Sequence, residues 1–490
     1  MDNITQMDSP PPTVNRRVAY FHCDDFDSLA MGPSVAALNL KRYSMAHELL
    51  RSLDLLKWTQ RLRPRWLKQD ELSKFHEDRY LHMLEQLSLP KSQQTLNESR
   101  LAVAVKRCGF RQESTVHKGA YQFSRVRASG SVGCAEIINS EQITLAVNFE
   151  GGMSRAKPDQ AIDGHFLNDV VLCLLTLCEN HTRILYVNVG YEHSDGVEEA
   201  FYTSNKVMCL SFHGNQESAN DEFERHANHV AKEEAMRQIE AEKKAAAAAE
   251  KKKKVLNSNR KRPAADTAAA TRTMGEEPNK KSKTDGDTHK IPHIFSYASI
   301  NGTGKQEDIG HGRGQKCNRN VPLPNGLTDS ELEAAFGPIF ARACSFYRPT
   351  VIVLNVNAAS VASSSSKWNL SSKAYVPIIH HVRNTDIPFI LLGSGGGGGN
   401  SSNSARTFAS CAYAALGFTG TMPEKVPSND RYIEDYQSYG GGNLIVSSSN
   451  MNSEVEKESF QNMINTICTS LSGPPLESDD EDDDDDDEDE

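Results

Sequence analysis

The chain has 490 residues, with 54 Lys or Arg against 65 Asp or Glu, a formal net charge of −11 and 38% hydrophobic residues. That length permits two or three domains, or one large α/β domain with insertions. No run of 18 apolar residues occurs, which excludes a membrane-spanning helix, and the polar start MDNITQMDSPPPTVNRR does not read as a secretory signal. The charge is unevenly placed: residues 477–490 hold thirteen Asp or Glu and no Lys or Arg, and removing them from the net −11 leaves +2. This tail repels itself and buries no apolar surface, so it reads as disordered. The ten cysteines show no CxxC pairing, which fits reduced thiols in the cytosol or nucleus and argues against a zinc finger or a disulfide scaffold.

Residues 1–16 read as a loose, Pro-rich leader. Arg17 to His22 opens the first strand-like run. Tyr43 to Lys57 places Met45, Leu49, Leu50, Leu53 and Leu56 on one helical face, and Asp70 to Leu87 reads as a second amphipathic helix. Ser131–Ile138 reads as helix, Ile143–Asn148 as strand and Asn168–Cys178 as a buried helix. Strands follow at Ile184–Val189 and Val207–Phe212. After a break come a helix at Leu332–Tyr347, a strand at Thr350–Val356, a Ser-rich loop at Ser360–Ser366 and a helix at Tyr375–Asn384. Pro388–Leu392 reads as strand and Ala405–Leu416 as helix. Strands alternating with helices predict one α/β domain of three layers, a mostly parallel sheet flanked by helices, over residues 17–214 and 291–476.

Residues 215–290 interrupt this pattern with a charged, Ala-rich insertion, helix-forming in its first half and disordered in its second. Lys251–Lys254, Arg260–Arg262 and Lys280–Lys283 are basic clusters that suit nuclear import as well as a soluble loop. The run Gly393 to Gly399 joins a strand to a helix in the manner of an anion-binding turn, yet it carries neither the GxGxxG nor the GKS/T signature. Cys209, Cys344 and Cys411 sit in apolar contexts and read as core.

The stretch Arg183 to Tyr202 carries most information. A buried strand ends at Gly190-Tyr191-Glu192-His193, and Asp195 with Glu198 three residues on reads as a variant capping box opening a helix. The carboxyl ends of strands are where chemistry collects in α/β folds, so this turn is the candidate site.

The order of these segments resembles the class I histone deacetylases of the arginase/deacetylase fold. The resemblance rests on Leu72–Tyr80, Ala146–Gly152, Asn168–Leu172, Asp195–Thr203, Ser211–His213, Asn301–Gly304 with Asp308–Gly310, and Ser448–Asn452. It implies a zinc ion held by two carboxylates and a histidine, a His-His acid-base pair, a tyrosine that stabilises the oxyanion and an apolar acyl-lysine tunnel. Laid onto this chain, the His-His positions are Ser154 and Arg155. The zinc positions are Gly190, Glu192 and Ala359. The tyrosine position is Gly399, next to Asn400. The tunnel aromatic falls at Gly164, with Phe166 nearby, and the rim aspartate at Glu113. In the N-terminal loop Arg42 matches.

One carboxylate, Glu192, does not hold zinc by itself, and adjacent His193 is poorly placed to join it. No cofactor is therefore expected, although the family uses zinc. An internal Arg155–Glu192 ion pair is the expected replacement for the lost cation. His76 and His213 match family positions outside the pocket and read as structural. The leading reading is a nuclear pseudoenzyme that acts as a chromatin scaffold or regulatory subunit. Its expected partners are histones, chromatin-complex subunits or an active deacetylase, with no direct DNA binding and no membrane. The alternatives are an active lysine deacetylase using non-standard residues and an acyl-lysine reader.

Overall fold

A computed structural model describes residues 18–24, 35–89, 91–95, 105, 108–109, 119–162, 164–215, 304–361, 367–394, 400–449 and 451–472, with the side chains of 35–40 and 91 left aside. The leader, the insertion after Asn215, the acidic tail, Glu113 and Gly399 lie outside the described residues.

Eight strands form one sheet: β1 (Val18–Phe21), β2 (Gln60–Leu62), β3 (Leu145–Asn148), β4 (Ile184–Val189), β5 (Val207–Gly214), β6 (Asn318–Leu323), β7 (Val351–Asn357) and β8 (Phe389–Ser394). Their order is β2-β1-β3-β8-β7-β4-β5-β6, and every pairing is parallel. The sheet is thus wholly parallel, and all strand carboxyl ends open on one edge. The helices are α1 (Val35–Ser52), α2 (Gln69–Leu72), α3 (Asp78–Ser88), α4 (Ala120–Asn139), α5 (Asp169–Leu177) and α6 (Asp195–Phe201). They continue with α7 (Asp329–Tyr347), α8 (Tyr375–Arg383), α9 (Ser401–Ala415), α10 (Ile433–Ser438) and α11 (Lys457–Ser470). Among the described residues no helix is long and apolar enough to cross a membrane.

The central strands are apolar on both faces because helices cover both faces. In β4, Leu185, Val187 and Val189 pack with α1, α7, α8 and α9, whereas Ile184 and Tyr186 pack with α3, α4, α5 and α6. Cys209 and Cys411 are buried as expected, while Cys344 is only partly so.

Three expectations need correction. The helix expected over Tyr43–Lys57 starts earlier and stops at Ser52, because Leu53 and Asp54 turn, with Asp54 in a left-handed conformation (φ 59°). Leu55–Trp58 then forms a separate 3-10 turn. The single helix expected over Asp70–Leu87 is two helices, broken at Ser73–Glu77. The break lets His76 turn inward, where its Nε2 accepts from Asn168 N at 2.9 Å and its Nδ1 lies 3.3 Å from Pro158 O. The helix expected at Ser131–Ile138 is the final part of the twenty-residue α4.

Candidate functional site

The turns that follow β3, β4 and β7 meet on the carboxyl edge of the sheet, beside the end of β8. After β3, Gly151 and Gly152 pass so close to their neighbours that a side chain on either has no room. A methyl at Gly151 would strike Ser131 and Asn148, and one at Gly152, where φ is +104°, would strike Asn355 and the Ser394 backbone. The Asp169 carboxylate fixes this turn by accepting from Gly152 N and Met153 N, both at 2.7 Å, and from Ser131 Oγ at 2.5 Å. Burial pushes the Asp169 carboxyl above its ordinary range, and those three donors work against the rise.

Ser154, which the resemblance lays on the first acid-base position, points into a buried hydroxyl chain. Its Oγ accepts from Ser194 Oγ at 2.9 Å, Ser194 bonds Tyr186 OH at 2.9 Å, and Asn355 Nδ2 donates to that phenol at 3.2 Å. Burial raises the Tyr186 hydroxyl well above its ordinary value. These are neutral groups knitting β4 and β7 to the β3 turn, and none is set up to take a proton from water.

Arg155, at the second position, extends its Nε to Asp195 Oδ1 at 3.2 Å, with both side chains 21% exposed. The expected Arg155–Glu192 pair is therefore corrected: the guanidinium reaches across to the first residue of α6. Asp195 is not the cap. Ser194 occupies the cap position without a side-chain capping bond, and Asp195 is the first helical residue. Glu198 is likewise taken, with its Oε2 3.0 Å from His193 Nε2 and accepting from Asn320 Nδ2 at 3.0 Å.

Glu192 lies on the rim, its side chain 34% exposed, with Oε2 3.6 Å from Nε2 of the buried His165. Burial alone would raise its pKa. The neighbouring His165, with Arg155 and Arg42 further off, outweighs that and holds the carboxyl below its ordinary value. The backbone of this turn is anchored by Asn188, whose Nδ2 donates to Glu192 O at 3.0 Å and to Ser211 Oγ at 3.3 Å.

Gly190 packs onto Asn357, whose Cβ would collide with any side chain placed at 190. Asn357 in turn accepts from Ala359 N at 2.9 Å through its Oδ1. The three positions Gly190, Glu192 and Ala359 thus offer one carboxylate between them, and two of them have no donor atom to turn toward a cation. This donor set does not fit the four-coordinate zinc chemistry that the resemblance implies. Next to the tyrosine position, Asn400 caps α9, accepting from Ser402 N at 2.8 Å and Asn403 N at 3.3 Å. A Cβ at Gly164 would meet nothing within 4 Å among the described residues, and Phe166 lies nearby, partly buried, with its carbonyl accepting from Tyr80 OH at 2.6 Å. Arg42 is buried and stacks over Tyr43.

A hydroxyl–imidazole–carboxylate relay does occur deeper down. Ser211 Oγ lies 3.2 Å from His193 Nδ1, and His193 Nε2 faces Glu198. Ser211 is also bonded to His213 Nδ1 at 3.0 Å, and His213 Nε2 to Gly304 O at 2.9 Å. All of these side chains are buried, so the hydroxyl has no face open to a substrate carbonyl. Burial and the adjacent His193 push His213 well below its ordinary pKa, which keeps it neutral. His213 and His76 are structural, as expected.

The profile of the histone deacetylase domain matches residues 36–255 and 287–415. This chain belongs to the histone deacetylase family. Among its relatives, "Probable histone deacetylase 19" of Zea mays is 28% identical over 465 residues, covering 94% of this chain and 71% of that protein. "Histone deacetylase 1" of Homo sapiens is 25% identical over 448 residues, covering 91% and 73%. "Type-1 histone deacetylase 1" of Dictyostelium discoideum is 26% identical over 422 residues, covering 86% and 66%. The matched residues 36–255 and 287–415 include Ser154, Arg155, Gly190, Glu192 and Ala359.

One group of titratable residues had no signal in the sequence. His22, Asp24 and His47 converge beyond β1, one strand over from this pocket, although 23 positions separate the last two. Their spacing along the chain resembles no ligand motif, and only the packing of α1 against the end of β1 brings them together.

Proposed function

We propose that this deacetylase-family chain does not carry out zinc-dependent deacetylation and serves as a nuclear, chromatin-associated scaffold or regulatory subunit. The supporting observation is the turn after β4 with its neighbour after β7, where Gly190 and Ala359 lack ligand atoms and Glu192 faces His165. Ser154 and Arg155, tied to Ser194 and Asp195, provide no imidazole to move a proton. The surrounding framework is intact and well packed, which suits binding. Names of the relatives point to histones as the class of partner. An acidic tail of thirteen carboxylates would attract basic histone segments over a distance of about 10 Å at 0.1 M salt.

The test pairs turnover with binding. Purified full-length chain supplied with zinc should leave an acetyl-lysine histone peptide uncleaved, and should retain core histones in a salt-sensitive manner from nuclear extract. Turnover abolished by Glu192→Ala would establish the active alternative, and loss of all histone or complex association would remove the scaffold reading.

A further inference from the structure

The carboxyl ends of β1 and β3 carry a second constellation. His22 and Asp24 follow β1, Glu150 follows β3, and His47 projects from α1. One ligand atom from each of His22, Asp24 and His47 falls within 4.8 Å of the other two. His22 uses Nδ1 toward the buried Glu150, whose Oε1 is 2.6 Å away, and its Nε2 lies 3.9 Å from Asp24 Oδ1. His47 uses Nδ1 toward Tyr20 OH at 3.3 Å. Each imidazole therefore has one nitrogen held by an oxygen partner and the other left for a ligand. A carboxylate or hydroxyl behind a histidine fixes the ring and its tautomer in this way at metal centres.

We propose that His22, His47 and Asp24 form a binding site for a borderline divalent cation of the zinc class, with Glu150 and Tyr20 as its supporting partners. Two imidazoles and one carboxylate suit such an ion and leave a coordination position open to water. The site is separate from the deacetylase pocket and shares none of the positions Gly190, Glu192 and Ala359.

Two contacts hold the empty arrangement together, and both must give way on binding. The His22 and His47 rings are stacked, with centroids 3.7 Å apart and planes within 3°. His47 must tilt, because two parallel rings cannot aim both lone pairs at one ion. Arg61 forms an ion pair with Asp24 and competes with the cation for its carboxylate. The Asp24 side chain is 54% exposed, which gives an ion access from solvent.

The experiment is titration of chelator-treated full-length protein with Co²⁺ followed by visible absorption, and with Zn²⁺ by calorimetry. One equivalent should bind. Asp24→Asn, a change at an exposed side chain that leaves the fold in place, should weaken binding by at least about tenfold, and His47→Gln should do the same. Arg61→Ala should tighten it, an outcome a purely structural cluster would not give. Glu192→Ala should leave it unchanged. Failure of the wild type to bind either ion, or binding indifferent to both Asp24→Asn and His47→Gln, would overturn the proposal. Zinc lost in Asp24→Asn and kept in Glu192→Ala belongs to this site, and the reverse pattern would instead refute the inactive-pocket reading.

Discussion

The Arg155 guanidinium reaches Asp195 Oδ1 at 3.2 Å, which ties the β3 turn to the first residue of α6. A cation at 155 and a lone carboxylate at 192 were legible from sequence. Which acid the guanidinium meets was not, because Asp195 looks from its neighbours like a helix cap while its real partner comes from the turn after β3. A double-mutant cycle on Arg155→Ala and Asp195→Ala should give a coupling on the order of 1 kcal/mol, as partly exposed pairs do, measured by urea denaturation. The same cycle with Glu192→Ala should be additive to within about 0.5 kcal/mol. Building the family's ligand set at these positions meets an obstacle at Asn357. Installing Gly190→Asp, Glu192→His and Ala359→Asp together should fail to create a zinc site, because the new aspartate at 190 would run into the Asn357 Cβ. Adding Asn357→Gly should relieve the clash, with the gain read as zinc bound in an Asp24→Asn background.

At the level of elements, the helix and strand pattern was largely legible: β4 runs over the expected Ile184–Val189, and α5 starts behind its Asn168 cap, whose Oδ1 accepts from Val171 N at 3.0 Å. Breaks were not legible, because they serve distant partners. The interruption between α2 and α3 exists so that His76 can meet Asn168 and Pro158, and amphipathic spacing alone continues through it. Burial lowers the His76 pKa from 6.5 to about 4. The folded state thus takes up its proton later than the unfolded state as pH falls, and stability should drop from about pH 6.5 toward pH 4. Full expression of that shift corresponds to about 3 kcal/mol as an upper value. The urea midpoint followed between pH 7 and pH 5 should fall in the wild type and fall less in His76→Gln, which starts lower because its bonds are poorer. Asn400→Ala should cost about 1 kcal/mol by removing the α9 cap, with no change in histone retention.

Across the whole molecule, a parallel sheet covered on both faces sets its loops along one edge whatever side chains those loops carry. The framework glycines and Asp169 hold the β3 turn in place with neutral or fixed partners, so the turn keeps its shape without a metal or an acid-base side chain. This separation of framework from loop side chains is why family membership could be read from one sequence, whereas the His22–Asp24–His47 cluster required the fold. Removing residues 477–490 should weaken histone retention at low salt and matter little at high salt, as expected for long-range attraction. Acetyl-lysine peptide hydrolysis by the full-length protein with zinc supplied decides whether the chain deacetylates. The prediction is no hydrolysis above the protein-free reaction, and hydrolysis that disappears in Glu192→Ala would contradict it.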